Sequence, residues 1–321
     1  MPRSTPPRPL DVAAHFPELA PLARTAVRLH PRPGFPTARD SSIGGPLLWP
    51  AHAPWPTCPE HDGPAYLGHT PDDIRLRRRI LAEAWSRPRA EGADFLTPQE
   101  RARYDSASEE RLIPQEGPVP MIPVAQLHAR DIPTLPRPPG TDLLQLLWCP
   151  FDHEGHVPRT ELRWRTAAEV TDPLVTAPQP SVIGKAPFLP EPCLLHPEPV
   201  TEYPAPHELP EELADRVEDW AEGQGADYQY DLAVAPGCKV GGHAPWSYTD
   251  PFPMACSECG AAVRPLLTID GYEYDGGTRS WRPHGDTGPA TPTHLNIGRD
   301  HALQLYVCTT SYDHPHLRNI Q

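Results

Sequence analysis

The chain has 321 residues and a formal net charge of −14, and 48 of its residues are proline, roughly three times the usual ~5% share. Proline at that density excludes long unbroken helices, because its ring removes an N–H and clashes with the preceding turn. No apolar run approaches the ~20 residues of a membrane span, and the acidity disfavours nucleic acid, whose binding runs on phosphate neutralisation. A protein with no membrane and no nucleic-acid partner is therefore expected.

The opening Met1-Pro-Arg-Ser-Thr-Pro-Pro has no apolar core after its basic residue, so no signal peptide and a cytoplasmic location are expected. Seven cysteines, an odd number, then stay reduced. Residues 1–9 are Pro/Arg-rich and expected to fray. Residues 11–26 read as helix in pieces, broken at Pro17 and Pro21, and residues 26–30 alternate as a strand. Ser42-Ile-Gly-Gly-Pro46 is a turn, and Tyr66-Leu67 starts an interrupted strand.

Residues 70–113 differ from their surroundings. Thr70-Pro71-Asp72-Asp73 supplies an N-cap, a proline at the first helical position and two acids that suit the helix dipole. Thr97-Pro98-Gln99-Glu100 is a capping box. The segment reads as a helical insertion whose Arg75–Arg79 run is a solvated face. Strands follow at 121–127, 142–148 and 160–165. Residues 171–206 form a proline-rich extended connector, and residues 208–221 an acidic helix with Leu209, Leu213, Val217 and Trp220 inward. Further strands lie at 238–242, 263–270 and 302–307.

The chain repeats itself once. Ile43-Gly44-Gly45 matches Val240-Gly241-Gly242, and Trp49 or Trp55 matches Trp246. Cys58-Pro-Glu-His61 matches Cys256-Ser-Glu-Cys259. Leu144-Gln-Leu-Leu-Trp-Cys149 matches Leu303-Gln-Leu-Tyr-Val-Cys308, and Asp152-His153 matches Asp313-His314. Cys58 and Cys149 lie 91 positions apart, Cys256 and Cys308 only 52, and the difference of 39 is close to the 44 residues of the insertion. The expected fold is α+β and mainly antiparallel, internally duplicated and two-lobed. Residues 1–165 form the first repeat, 166–234 an acidic connector with one helix and 235–321 the second repeat, together one compact unit.

Each repeat pairs a short-loop Cys-x-x-Cys/His with a distant Cys and His, which is how four-coordinate zinc is held between a loop and a strand end. The candidate ligands are Cys256, Cys259, Cys308 and His314 in the second half, and Cys58, His61, Cys149 and His153, a weaker pattern, in the first. Four protein ligands make a closed, structural site, whereas catalytic zinc keeps a position open. The competing reading takes the thiols as small buried apolar groups. Cys193 and Cys238 have no partners by pattern and read as structural.

The Ser42-Ile-Gly-Gly-Pro segment with Trp49-Pro50 and Trp55-Pro56, together with residues 238–246, Leu266-Leu-Thr-Ile-Asp270 and Leu303-Gln-Leu-Tyr-Val307, resembles the YwqG-like bacterial proteins of unknown function. The order Lys-Val-Gly-Gly, Trp, Cys-x-x-Cys-Gly, Leu-Leu is also similar to the N-terminal part of eukaryotic programmed cell death protein 2. The resemblance covers roughly residues 24–67, 121–165 and 235–318. It implies a duplicated antiparallel α+β fold and, through the eukaryotic relatives, a chaperone for a nascent ribosomal protein. Many relatives carry a second Cys-x-x-Cys where this chain has Cys308-Thr-Thr-Ser311; either His314 completes the site or the site is lost.

No His-Glu-x-x-His, nucleophile elbow, phosphate loop or dinucleotide fingerprint is present. A non-catalytic module that binds a protein or peptide, chaperone-like or antagonist-type and held by structural zinc, is favoured over a metal-dependent hydrolase. The hydrolase would draw on His284, Asp286 and the 313–316 cluster. Twelve acids against the single base Arg216 in residues 191–231 suit a basic partner. Two similar sheets side by side would form its groove, with Trp246 and Trp281 as aromatic contacts.

Overall fold

The computed structural model describes residues 4–90 and 92–321. Residues 1–3, the start of the segment expected to fray, and Glu91 in the insertion lie outside the described residues. In chain order the elements are α1 (Val12–His15), β1 (Arg24–Arg28), β2 (Arg32–Pro33), β3 (Ser42–Ile43), β4 (Ala65–Gly68), α2 (Pro71–Ser86), α3 (Pro98–Ser108), β5 (Arg111–Pro114), β6 (Ile122–His128), β7 (Leu143–Trp148) and β8 (Thr160–Arg165). There follow β9 (Cys193–Leu194), β10 (Glu198–Glu202), α4 (Glu211–Gly223), β11 (Lys239–Gly241), β12 (Val263–Ile269), β13 (Leu303–Cys308) and β14 (Leu317–Ile320). The fold is α+β, and its strand pairings are antiparallel.

Two six-stranded sheets carry the architecture, in the orders β10-β1-β11-β12-β13-β14 and β2-β9-β3-β6-β7-β8. The diglycine strands β11 and β3 hold the same place, with Val240 opposite Leu267 in one sheet and Ile43 opposite Ala125 in the other. The next pairing slips at the same point in both, between Pro265 and Leu267 and between Pro123 and Ala125. Proline lacks the ladder N–H, so a bulge is where a paired strand tolerates it. Strands β7 and β13, each one in from an edge, are buried along their whole length, which is why both read as nearly continuous apolar runs.

Each sheet borrows a strand from the other half of the chain. β1 inserts between β10 and β11, and β9 inserts between β2 and β3. The proline-rich connector is therefore not a passive spacer, because it supplies β9 and β10. Residues 4–9 are tied down as well. Thr5 donates to Glu198 through its backbone N–H at 2.9 Å, and Arg8 lies 3.5 Å over the Trp281 ring.

The open groove expected between the sheets is filled. Ile43, Ala125, Leu144 and Leu146 of one sheet and Val240, Leu267, Leu303 and Leu305 of the other belong to a single buried apolar cluster. Facing side chains of two sheets interdigitate in this way when both present an apolar face. A second cluster covers the outer face near β1, where α1 and α4 bring Val12, Phe16, Leu213 and Val217 together. The insertion holds α2 and α3, which open at the expected N-cap Thr70 and the expected capping box at Thr97; Thr70 and Asp73 form a capping box as well, and β4 pairs with β5 at its base.

Trp246 and Trp281 are 6% and 1% exposed, which corrects their assignment as partner contacts. Trp246 packs in the α1–α4 cluster, and Trp281 donates its indole N–H to the Tyr230 carbonyl at 2.8 Å. Apolar packing holds the first inside, and a satisfied indole N–H the second.

The borrowed strands carry buried charge. Arg28 is 0% exposed, and it donates to the carbonyls of Trp281 and Glu273 at 2.8 and 3.0 Å. The Glu273 carboxyl accepts from the Cys238 N–H, and burial pushes it up to about 7 even though Arg28 pulls the other way. A carboxyl raised on folding favours the native state below the unfolded value of 4.5, and that contribution is lost as pH rises through about 7. Glu273→Gln is therefore expected to flatten the part of the stability profile between those values and to gain on wild type at pH 8. Urea unfolding across pH 4.5–8 measures it; parallel wild-type and variant profiles would refute it.

Candidate metal centres

Each centre is built at the end of a buried strand. In the first half, Cys58 sits just after the Thr57–Pro120 bridge that leads into β6, and Cys149 directly follows β7. In the second half, Cys256 follows the Ala255–Ala262 bridge that leads into β12, and Cys308 ends β13. His153 and His314 come from the loops after those strands. The structure gathers Cys58, His61, Cys149 and His153 into one cluster, and Cys256, Cys259, Cys308 and His314 into the other. In each, the ligand atoms lie within 4.8 Å of one another.

The separations have the scale of a coordination tetrahedron. Zn–S near 2.3 Å and Zn–N near 2.0–2.1 Å imply S–N edges of about 3.5 Å and S–S edges of about 3.8 Å. In the first centre Cys58 Sγ is 3.2 Å from His61 Nδ1 and 3.6 Å from His153 Nε2, and Cys149 Sγ is 3.5 Å from His61 Nδ1. In the second, Cys259 Sγ and Cys308 Sγ are 3.6 Å apart, and Cys256 Sγ is 3.5 Å from His314 Nδ1. Ser311 is not part of this set, and His314 stands in the fourth position.

The surroundings orient the ligands. His153 Nδ1 meets Glu60 Oε2 at 3.0 Å, leaving Nε2 to the centre, and Arg159 holds Glu60 at 2.9 Å. Carboxylates commonly fix a ligating imidazole in this way. The His61 ring stacks on Phe151 at 4.4 Å between centroids. In the second centre Gly260 adopts φ +69°, the left-handed turn that lets its N–H reach the Cys256 carbonyl at 2.8 Å.

In each centre part of the thiol set is prepared to ionise, as ligation requires. The hydrogen bond from Cys149 is the largest influence on Cys58 and, with His61, holds it down at about 5; the same contact pushes Cys149 up, so the pair shares one proton. Burial opposes ionisation of Cys308, but the backbone N–H groups of Ser311 and Thr310, with His314, outweigh it and hold the thiol at about 6. By contrast, burial pushes Cys193 up to about 12 and Cys238 well above the ordinary thiol range. Both are 0% exposed and lie away from either cluster, as small core residues.

Sequence reasoning missed the roles of Glu60 and Phe151. Glu60 lies inside the Cys58–His61 loop, and its position between two ligands was the available signal. The residues considered for hydrolysis do not converge. Asp286 pairs with Arg32, and His316 contacts Thr160 Oγ1 at 2.6 Å, with burial pushing its imidazole down to about 4. No protein-family model matches the chain, and no curated protein matches it significantly.

Proposed function

We propose that the protein is a non-catalytic module that binds another protein or peptide, with a structural zinc ion at each of its two centres. The observation that carries the metal assignment is that both clusters supply four Cys/His ligand atoms at tetrahedral spacing, which leaves no protein-side vacancy for a substrate. Soft thiolates with imidazole select zinc over the hard cations that carboxylates prefer. The hydrolase reading would need an open coordination position.

The acidic segment supports a basic partner on a smaller surface than its sequence suggests. Glu202 is buried against Lys239, and Glu198 is engaged by Thr5 and His30. Glu211, Glu212, Asp215, Glu218, Asp219 and Glu222 of α4 remain exposed. The matched order and slip of the two sheets support a duplication, and with it kinship to the YwqG-like proteins and a chaperone-like or antagonist role. Seven free thiols support a reducing, cytoplasmic setting; no helix among the described residues is long and apolar enough to cross a membrane.

Native mass spectrometry of protein purified without chelator should find two zinc ions per chain. Zero would refute the metal reading. Pull-down with Lys/Arg-rich peptides at low and high salt tests the partner. Capture that vanishes when the α4 acids are changed to glutamine or asparagine is expected, and equal capture by the variant would overturn it.

A further inference from the structure

A cavity of about 300 Å3 opens on the outer face of the β11–β12 pair, and none of its lining residues belongs to either metal cluster. Its existence follows from one substitution between the two sheets. Thr268 pairs with Lys239 as Gln126 pairs with Ser42. In the first sheet the Gln126 carboxamide fills this position: its oxygen accepts from the Leu48 N–H and from Gln145 Nε2, and its nitrogen donates to the carbonyls of Ala38 and Asp40. Thr268 is too short to do the same. It is 6% exposed, it lines the cavity, and its hydroxyl makes no hydrogen bond among the described residues. The hydroxyl therefore reaches the cavity with its hydrogen-bonding capacity unspent on protein groups, a position a ligand donor can engage.

The other walls state what that group is. Asp270, Asp275 and Asp300 line the cavity with Tyr230, Tyr272 and Tyr274. Asp275 accepts only through Oδ1, from Gly277 and Thr278, and Asp300 only through Oδ1, from Asn296 and Tyr272, so Oδ2 of each is unused. Asp270 accepts two backbone N–H groups, from Gly237 and Tyr272. No cationic side chain among the described residues lies within 4.0 Å of these three carboxylates. Among the described residues of the wall the cation is Lys239, and it is spent inward on Glu202 at 2.6 Å and the His243 carbonyl at 3.0 Å. Burial pushes the Asp270 carboxyl up to about 6, as expected of a carboxylate lacking its counter-ion.

We propose that this cavity binds a protonated primary alkylamine, whose ammonium sits among Thr268, Asp270, Asp275 and Asp300 while its alkyl chain lies against the tyrosine rings. An ammonium offers three donors and no acceptor, which complements carboxylates and a hydroxyl. Aromatic faces add attraction for the cation. The volume lies at the lower end of small-ligand sites, so the occupant is a free amine or one lysine side chain.

The test is calorimetric titration with n-butylamine, with Nα-acetyl-lysine methylamide and with n-butanol as the neutral control. Wild type should bind both amines saturably and the alcohol not at all. A lysine derivative at least tenfold tighter places the amine on a polypeptide, and a tighter free amine identifies a small molecule. Asp300→Asn at the exposed mouth should weaken binding at least tenfold. Thr268→Gln should abolish it by rebuilding the filled position of the other sheet, with melting temperature checking that the variant folds. Amine that fails to saturate, butanol that binds equally, or wild-type affinity in Asp300→Asn would overturn the proposal. Zinc content is read separately, so loss of the metal reading leaves this result standing, and the reverse.

Discussion

Cys149→Ser should leave one zinc ion per chain instead of two and lower unfolding free energy by roughly 3–5 kcal/mol, the scale of a lost native cross-link. Structural zinc holds about 10–16 kcal/mol of apparent binding free energy in finger peptides, which have no other core. Here the two sheets also share a large buried apolar cluster, so only part of that energy should appear as stability. The first centre should be the costlier to lose. Cys58 and Cys149 are both 0% exposed, and their cluster ties the loop before β6 to the end of the buried strand β7. In the second centre Cys259 is exposed, so a chelator should remove that zinc first. Native mass spectra during chelation, with urea unfolding of the variant, decide both points. A Cys149→Ser protein with two zinc ions and wild-type stability would sink the assignment.

The ligand sets were legible because cysteine and histidine are scarce and their spacings recur in both halves. The helix starts at Thr70 and Thr97 were legible because capping is a local signal. The exchange of strands was not. Which strand β1 or β9 joins is decided by packing between segments some 150–215 positions apart, and a two-residue strand such as β9 has no periodicity to read. The same limit applies to Trp246 and Trp281, since an aromatic side chain suits a core as well as a groove. The amine cavity was out of reach for a different reason. Thr268 is unremarkable in the sequence, and its short side chain matters only once register sets it opposite Lys239, where the other sheet has Gln126.

Lys239→Met should cost about 3–5 kcal/mol, the penalty for leaving one member of a buried ion pair alone. Lys239 and Glu202 are 1% and 0% exposed, so the survivor would be left largely desolvated. The glutamate also organises the diglycine turn, accepting from the N–H groups of Ala235 at 2.9 Å and His243 at 2.7 Å. Gly242 closes over it at φ +75°, where an added Cβ would collide with the Glu202 carboxylate. Removing both charges in Lys239→Met/Glu202→Gln should recover part of the loss, because the desolvation cost goes while an amide oxygen still accepts from that turn. Glu202→Leu in place of Gln should recover less, since each orphaned backbone donor costs about 1–3 kcal/mol. Urea unfolding of the four proteins ranks them, and a Lys239→Met variant within about 1 kcal/mol of wild type would mean that the pair is not isolated from solvent. In that event the lysine would be free to neutralise Asp270, and the amine cavity would lose its surplus of negative charge. The stability of this one pair therefore bears on the ligand chemistry beside it.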